Sequence, residues 1–384
     1  MRVAIIHYWL VGMRGGERVL EQMLRCYPDA DIYTHVYDPD AVSAAIRECR
    51  VRETFVAKLP MARRHYQKYL AFMPRALEEL DLTGYDLVLS SESGPAKGVI
   101  AAPDATHVCY CHSPMRYLYD HYPQYRDGLG WLQRTVFSHL AHRMRQWDLA
   151  SAARVDSFVA NSSFIARRIK RVYGREAVVV NPPVDLSLFG RGAPQARSDF
   201  YLVVSQLVGY KRVDLAIEAV RGTGRKLVVA GQGEALGALQ ASAPDNVTFL
   251  GGVSTEELVE LYATARALIF PGEEDFGIVP IEAIASGCPV VAFGRGGVLD
   301  SLQDGVTGVF FAEQTVDALQ AALERFEAGS FPAGALQARA HDFSEERFRE
   351  RFTAAVGAAM ERQRSHAMPP LAQVAPPPGL VGAG

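Results

Sequence analysis

Two glutamates, Glu274 and Glu282, are the residues of this 384-residue sequence that most clearly indicate ligand chemistry. They lie in the string Phe270–Ala283, where an apolar run predicts a strand, and a turn then leads into a helix that begins near Gly277. Both carboxylates can face the cleft at the carboxyl ends of parallel strands, where α/β sheets bind ligands. Because a carboxylate accepts paired O–H hydrogen bonds, the two glutamates suit sugar and ribose diols.

The acidic residues of this string have a simpler interpretation, since acids favour the first turn of a helix. Capping and solvation explain Glu273 and Asp275 well. They do not explain the whole string together with the Ser286–Val291 segment that follows it. Free N–H groups at the predicted helix start would add a site for an anion or a hydroxyl group.

A basic pair follows the predicted strand Phe200–Val204. Lys211 and Arg212 stand where a predicted helix, Arg212–Val220, begins. Lys211 could neutralise a pyrophosphate without a metal ion. A solvated helix start is the alternative interpretation of both cations.

Two glycine-rich turns are weaker signals. Gly15 and Gly16 follow the first predicted strand and open a helix, where a small residue permits close backbone approach to a phosphate. A plain tight turn would use the same glycines. Gly231 and Gly233 flank Gln232 in a second such turn, which is equally weak on its own.

His112 follows a predicted strand, and its imidazole could donate a hydrogen bond to a sugar hydroxyl or a backbone carbonyl. A buried core histidine is the alternative, but the carboxyl end of a strand favours a functional role. Two metal motifs are rejected. The Cys109–His112 string lacks a second ligand pair, and the acids of Asp38–Asp40 are ordinary turn residues. We therefore expect no metal ion and no other cofactor.

Short Val/Ile-rich strands alternate with longer amphipathic stretches, which predicts an α/β protein with parallel sheets covered by helices. Two prolines in Asn181–Val184 block both helix and interior strand, so they suit a hinge between two domains. We predict strands at Val3–His7, Asp31–Thr34, Leu87–Ser90, His107–Cys111, Ser157–Ala160, Ala177–Val180, Phe200–Val204, Lys226–Ala230, Val247–Leu250, Ala267–Phe270 and Pro289–Ala292, and further helices at Glu256–Thr264, Val279–Ala285 and Phe343–Arg362.

The composition is that of an ordinary globular protein, with five scattered cysteines that imply no disulfide framework and fit a reducing cytosol. No apolar run approaches the 18 residues of a membrane span, and no secretory signal is recognisable. We expect a cytoplasmic protein. Residues 1–180 carry a net charge of +5 and the remainder −8, and nucleic-acid binding would need a stronger basic balance.

Two basic and aromatic stretches lie in the basic half. They are Lys58–Phe72 and a segment with Trp131, Arg134, His139, His142, Arg143 and Arg145. Such faces can dock on anionic lipid headgroups, which would place the protein peripherally on the inner face of the cell membrane. A solvated helix face is the alternative for both stretches.

Together these strings resemble glycosyltransferase family 4, and the resemblance covers almost the whole chain. It implies the GT-B fold, in which two Rossmann-like doubly wound domains face each other across a deep cleft. The implied segments are an acceptor-binding domain at 1–182, a nucleotide-sugar domain at 183–342, a return helix at 343–364 that packs on the first domain, and a disordered tail at 365–384.

The resemblance also implies roles for the residues above. Glu282 would bind ribose hydroxyls and Glu274 the transferred sugar, beside the backbone N–H groups of Phe276, Gly277 and Ile278. The Gly15–Gly16 turn would face the reacting diphosphate, Gly231 would lie in the donor loop, and His112 would contact the sugar. Lys211, with Glu274 and His112, completes the implied catalytic set.

One position departs from the family pattern. The family usually has arginine where this chain has Gln206, and losing one charge-assisted hydrogen bond costs about 1.5–3 kcal/mol. Either Arg212 partly replaces that charge, or the donor binds more weakly, or activity is reduced.

The implied activity is transfer of a hexose with retention of anomeric configuration. The string looks most like bacterial mannosyltransferases of the WbaZ type, which implies mannose from GDP-mannose and a glycan or polyprenyl-diphosphate-linked acceptor in surface polysaccharide synthesis. Three alternatives stay open: transfer from a UDP-sugar of glucose, galactose or N-acetylglucosamine, epimerisation of a nucleotide sugar, and non-enzymatic binding of one.

Overall fold

Thirteen strands form two parallel sheets in the computed structural model of the chain, which describes residues 1–190 and 197–366. The first sheet has seven strands in the order β3-β2-β1-β4-β5-β6-β7. Its strands are β1 (Val3–His7), β2 (Asp31–Thr34), β3 (Val51–Glu53), β4 (Leu87–Glu92), β5 (Thr106–Cys111), β6 (Ser157–Ala160) and β7 (Ala177–Val179). The helices in this part of the chain are α1 (Gly15–Cys26), α2 (Ala44–Arg47), α3 (Ala62–His65), α4 (Met73–Glu78), α5 (Tyr122–Asp127), α6 (Trp131–Ala152) and α7 (Ser163–Tyr173), with 3-10 turns at Pro39–Ala41, Phe55–Lys58 and Tyr66–Phe72.

The second sheet has six strands in the order β10-β9-β8-β11-β12-β13. They are β8 (Tyr201–Val204), β9 (Leu227–Ala230), β10 (Val247–Gly251), β11 (Ala267–Phe270), β12 (Val290–Phe293) and β13 (Gly308–Phe311). The helices are α8 (Leu186–Phe189), α9 (Val213–Val220), α10 (Leu236–Ser242), α11 (Thr255–Thr264), α12 (Ile278–Ala285), α13 (Val298–Ser301), α14 (Val316–Ala328), α15 (Ala333–Ala340) and α16 (Glu345–His366), with 3-10 turns at Gly209–Lys211 and His341–Phe343.

The central strands of both sheets are buried along their whole length, as β1, β4 and β5 show. Helices cover both faces of a parallel sheet, so such strands carry apolar side chains on both sides. The predicted doubly wound α/β architecture with two sheets is therefore confirmed.

The final helix, α16, returns to the first sheet and packs against α1. Its Phe348 and Phe352 lie in the core of that sheet, with ring centroids 5.9 and 6.1 Å from the ring of Tyr110. The predicted return of the last helix is confirmed. The helix extends to His366, and the remainder of the tail predicted at 365–384 lies outside the described residues.

Two strands were not predicted from the sequence. β3 is a three-residue edge strand, Val-Arg-Glu, whose side chains are partly or fully exposed, so it presents no apolar run. β13 is a four-residue edge strand of the second sheet. Within residues 1–190 and 197–366, no helix is both long and apolar enough to cross a membrane.

Candidate active site

A cavity of about 390 Å³ lies between the two sheets, at the carboxyl ends of their strands. Eight of the residues singled out in the sequence line it: Gly15, Gly16, His112, Lys211, Glu274, Phe276, Gly277 and Ile278. Tyr8, Arg116, His121, Asn161 and Tyr210 also line it, and the sequence did not indicate them. The structure therefore gathers residues from both halves of the chain into one pocket.

The start of α12 forms one wall of this cavity. Gly277 caps the helix with a φ of 82°, a left-handed conformation that glycine adopts without strain. A Cβ atom there would lie 3.2 Å from the ring of Phe270. This sharp turn after β11 directs the first backbone N–H groups of α12 toward the pocket, as the sequence predicted for a helix beginning near Gly277.

The start of α1 forms the opposite wall. A Cβ atom on Gly16 would lie 2.4 Å from the Tyr8 hydroxyl oxygen, so only glycine fits there. A Cβ atom on Gly15 would meet nothing within 4 Å. Of the two glycines, Gly16 is thus the one that the close packing of α1 against β1 requires.

Lys211 and Glu274 form an ion pair inside the cavity, with both side chains largely buried. Lys211 ends the 3-10 turn at Gly209–Lys211, and Gly272 lets the loop after β11 pass close to it. A Cβ atom on Gly272 would lie 3.1 Å from the Lys211 carbonyl oxygen. The pairing puts a cation and a carboxylate side by side, which suits a phosphate next to a sugar hydroxyl.

Glu282 lies on α12 behind the cavity wall, and its carboxylate is buried. Arg18 Nη1 from α1 lies 3.3 Å from its Oε1, and the Tyr262 hydroxyl lies 3.3 Å from its Oε2. Burial raises the pKa of Glu282, while the charge of Arg18 and the Tyr262 hydroxyl act to lower it. The carboxylate thus joins the second half of the chain to the first.

Asp275 is held by two arginines from the first half of the chain. Arg116 Nη2 lies 2.6 Å and Arg168 Nη1 lies 3.1 Å from the same carboxylate oxygen, and the Ser162 hydroxyl donates to the Asp275 carbonyl. The sequence analysis attributed Asp275 to helix capping, because nothing in the local pattern indicates partners more than 100 residues away. This contact closes the cleft at one side of the cavity.

His112 directly follows β5. Its Nε2 lies 3.0 Å from the Ser91 hydroxyl, and the Asn161 side chain donates to its backbone carbonyl at 2.9 Å. Burial, helped by nearby His7, lowers the pKa of His112 to about 3. The imidazole is therefore neutral at physiological pH.

Four of the residues singled out do not line this cavity. Glu282 lies behind its wall, and Gly231 packs against β8, where a Cβ atom would lie 1.8 Å from the Ser205 carbonyl oxygen. Gln206 lines a neighbouring opening of about 380 Å³. Arg212 pairs with Asp214 at 3.3 Å and lines a separate groove, so in this arrangement it does not supply the charge absent at Gln206.

Among the described residues, no group of three or more His, Cys, Asp and Glu side chains is placed to hold a metal ion. The strings Cys109–His112 and Asp38–Asp40 follow this pattern. Cys109 and Cys111 are buried in the sheet, and Asp38 caps a 3-10 turn by accepting a hydrogen bond from the Asp40 N–H.

Comparisons with known proteins agree with this geometry. The chain is 28% identical to a D-inositol 3-phosphate glycosyltransferase of Mycobacterium avium over 306 residues, which covers 65% of this chain and 72% of the relative. It is 31% identical to the enzyme of the same name from Geodermatophilus obscurus, covering 65% of this chain and 68% of that one.

Solved structures of known glycosyltransferases share the fold. Sucrose-phosphate synthase of Thermosynechococcus elongatus superposes with a TM-score of 0.72 at 18% identity, over 96% of this chain and all of that one. HepE of Anabaena in complex with UDP-glucose superposes with a TM-score of 0.66 at 17% identity, over 93% of this chain and all of that one. Both halves therefore assemble as the GT-B fold.

Two family descriptions match consecutive parts of the chain. Residues 13–188 match Glycosyltransferase Family 4, and residues 189–346 match Glycosyl transferases group 1. The two matches cover the walls of the cavity described above. The chain is a glycosyltransferase that belongs to family 4.

Proposed function

We propose that this glycosyltransferase moves a hexose from a nucleoside diphosphate to an acceptor hydroxyl, with retention of anomeric configuration and without a metal ion. The observation that supports this most is the Lys211–Glu274 pair at the start of α12, facing the start of α1 across one cavity. A lysine and two sets of free backbone N–H groups suit a diphosphate, and Glu274 suits the hydroxyls of the attached sugar.

The proposed reaction is a front-face substitution. The acceptor oxygen bonds to the anomeric carbon on the face that the diphosphate leaves, and the acceptor proton passes to the departing phosphate oxygen. Lys211 and the N–H groups at Gly15 and Gly16 stabilise the negative charge as it builds on that oxygen. The two acids that line the cavity, Glu274 and Asp275, are both held by cations, which favours this route over a carboxylate nucleophile.

Ribose would bind at Glu282. Its hydroxyls would donate to the carboxylate oxygens, one of which now accepts from Arg18. Binding would therefore exchange one polar partner for another rather than desolvate a free charge. Closure of the cleft about Pro182 and Pro183 would then exclude water from the reacting centre.

GDP-mannose is our first candidate donor, on the resemblance of the donor string to WbaZ-type mannosyltransferases. A UDP-hexose is the second, because the similar structure of HepE holds UDP-glucose. Nucleotide-sugar epimerisation would need acid and base groups at the reacting carbon, and a binding protein would need no catalytic lysine.

A lipid-linked acceptor would fit the exposed end of α6. Trp131 is 81% exposed, Leu132 59% and Val136 52%, and Arg134 and Arg143 are exposed on the same helix. Apolar side chains interleaved with cations suit the headgroup region of an anionic membrane. We propose that the protein docks there peripherally and takes a glycan or polyprenyl-diphosphate-linked acceptor, as part of surface polysaccharide synthesis.

Product analysis tests the transferase proposal. GDP-mannose and UDP-glucose would be incubated separately with the protein, with and without a polyprenyl-diphosphate-linked glycan, and the products followed by proton NMR. We expect acceptor-dependent release of the nucleoside diphosphate and a glycosidic product with the donor's anomeric configuration. Lys211→Ala should lower the rate about 10²–10³-fold, and Lys170→Ala, which removes an exposed lysine paired with Glu176, should not.

Two results would overturn the proposal. An epimerised sugar formed without acceptor would indicate an epimerase. Donor binding with no turnover in the presence of any acceptor, and no effect of Lys211→Ala, would indicate a binding protein.

A further inference from the structure

We propose that Glu17, His7 and Ser91 are positioning residues that set which nitrogen of His112 carries its proton, so that His112 presents an unprotonated Nδ1 to the transferred sugar. The inference rests on the proposed function for the role of the sugar. The four side chains form one polar chain from the buried side of α1 to the cavity.

Sheet register brings the members of this chain together. His7 is the last residue of β1 and lies opposite Ser91 of β4, and His112 follows β5, the next strand in the sheet. His7 Nδ1 lies 3.1 Å from the Ser91 hydroxyl oxygen, which in turn lies 3.0 Å from His112 Nε2. Both contacts are within hydrogen-bond distance.

Glu17 stands at the other end of the chain. Its Oε1 lies 3.7 Å from His7 Nε2, while its Oε2 accepts a hydrogen bond of 2.9 Å from the backbone N–H of Arg14. Glu17, His7 and Ser91 are all buried. Burial acts to raise the pKa of Glu17, but contact with His7 outweighs it and the pKa is lowered, so the carboxylate stays charged.

Counting protons along the chain gives the direction. The Ser91 hydroxyl has one proton, so it can donate to only one of the two imidazoles. The negative charge of Glu17 favours the proton of neutral His7 on Nε2, which leaves His7 Nδ1 to accept from Ser91. Ser91 must then accept from His112, whose proton is therefore on Nε2.

This arrangement leaves Nδ1 of His112 without a proton. Within residues 1–190 and 197–366, Nδ1 has no hydrogen-bond partner, and His112 lines the cavity. Other charged groups near the imidazole are Asp275 and Glu17, and both carry negative charge. A hydroxyl of the bound sugar can donate to this nitrogen, and the neutral ring carries no charge that would repel the cation Lys211.

The sheet also provides a matched control. Ser90, the neighbour of Ser91 on β4, points to the opposite face and lies 2.9 Å from Nε2 of His107. His107 is buried, and its Nδ1 faces the Arg154 carbonyl rather than the cavity. Ser90→Ala and Ser91→Ala therefore each remove one buried serine–histidine contact, but only the second acts on His112.

Nitrogen NMR of ¹⁵N-histidine-labelled protein reads the tautomer directly, with the His112 signals assigned by their loss in His112→Gln. We expect the Nε2–H tautomer of His112 in the unsubstituted protein and a mixture of tautomers in Glu17→Gln, because an amide can either donate to His7 or accept from it. An Nδ1–H tautomer in the unsubstituted protein would overturn the proposal, whether or not the protein is active.

Kinetics test the consequence. Ser91→Ala should lower kcat about tenfold, the effect of one hydrogen bond in the transition state, while affinity for the nucleoside diphosphate product stays unchanged. Ser91→Thr should restore most of the rate, and Ser90→Ala should leave it near the unsubstituted value. Equal kcat losses in Ser90→Ala and Ser91→Ala would reduce Ser91 to a structural residue and contradict the proposal. Absence of turnover in every protein, with the tautomer as expected, would count against the proposed function alone.

Discussion

Arg18 Nη1 lies 3.3 Å from Oε1 of Glu282, so a side chain of α1 reaches the buried carboxylate of α12 across the cleft. These are the oxygens that we assign to ribose recognition. The Arg18 side chain is 40% exposed, whereas that of Glu282 is 6% exposed, so the arginine is the partner that can leave. Nucleotide binding and this contact should therefore compete.

Arg18→Ala should tighten binding of the nucleoside diphosphate about two- to fivefold, because a partly exposed ion pair is worth roughly 0.2–1 kcal/mol and need no longer be broken. Calorimetric titration with GDP and UDP measures this. Arg25→Ala is the matched control, since Arg25 lies on the same helix but pairs with Glu345 of α16. Weaker binding in Arg18→Ala alone would show that Arg18 instead contacts the nucleotide.

Gly16→Ala should lower both stability and activity, whereas Gly15→Ala should leave the melting temperature unchanged. The added methyl group at Gly16 would lie 2.4 Å from the Tyr8 hydroxyl oxygen and push that ring toward the cavity, while the one at Gly15 meets open space. Overpacking of this kind costs about 1–3 kcal/mol. Thermal unfolding followed by circular dichroism compares the two, and equal melting temperatures would contradict the packing described here.

Replacement of Trp131, Leu132 and Val136 by serine should abolish sedimentation with vesicles that contain 30% phosphatidylglycerol, taken as ~30% of an otherwise zwitterionic bilayer. The protein should stay folded, because these side chains are exposed on α6. Leu299→Ser with Val178→Ser, at exposed apolar positions elsewhere, is the control. Unchanged sedimentation of the α6 variant would leave the face merely solvated.

Acid should destabilise the protein through buried His107, whose pKa burial lowers to about 4. The unfolded chain binds a proton at this residue near pH 6.5, so between about pH 6.5 and 4 it holds more protons than the folded chain. The free energy of unfolding must therefore fall as the pH falls through this window, by up to about 1.4 kcal/mol per pH unit for one group.

His107→Gln should flatten that dependence. Urea unfolding at several pH values between 4.5 and 7.5 gives the slope for each protein, and only the difference between them is attributed to His107. The variant should be less stable at pH 7, because it loses contacts with Ser90 and the Arg154 carbonyl, yet should lose less on acidification. Parallel slopes would show that His107 is not kept neutral by burial.

Much of the fold could be predicted from the sequence because the signals are local. The apolar run before Gly277 and the helical pattern after it are enough to predict β11, the turn and α12. The same holds for the return helix α16. The edge strand β3 lacked such a signal, since a strand with one covered side need not be apolar.

The site could be predicted only residue by residue. Glu274 and Lys211 each carry a local motif, but their ion pair depends on how two loops pack. The partners of Asp275 and Glu282 come from the other half of the chain, and no spacing rule connects residues so far apart. Arg18 stands beside the glycines that the sequence singled out, and its contact with Glu282 appears only once the two sheets face each other.

The most direct test of the account is calorimetric titration of GDP-mannose and UDP-glucose in EDTA, with the unsubstituted protein and with Glu282→Ala and Glu345→Ala. We predict saturable binding of one donor in EDTA, loss of at least about tenfold in affinity in Glu282→Ala, and no loss in Glu345→Ala, whose carboxylate contacts only the return side of α1. Binding of either donor that requires a divalent cation, or that is unaffected by Glu282→Ala, would contradict the proposed metal-independent donor site.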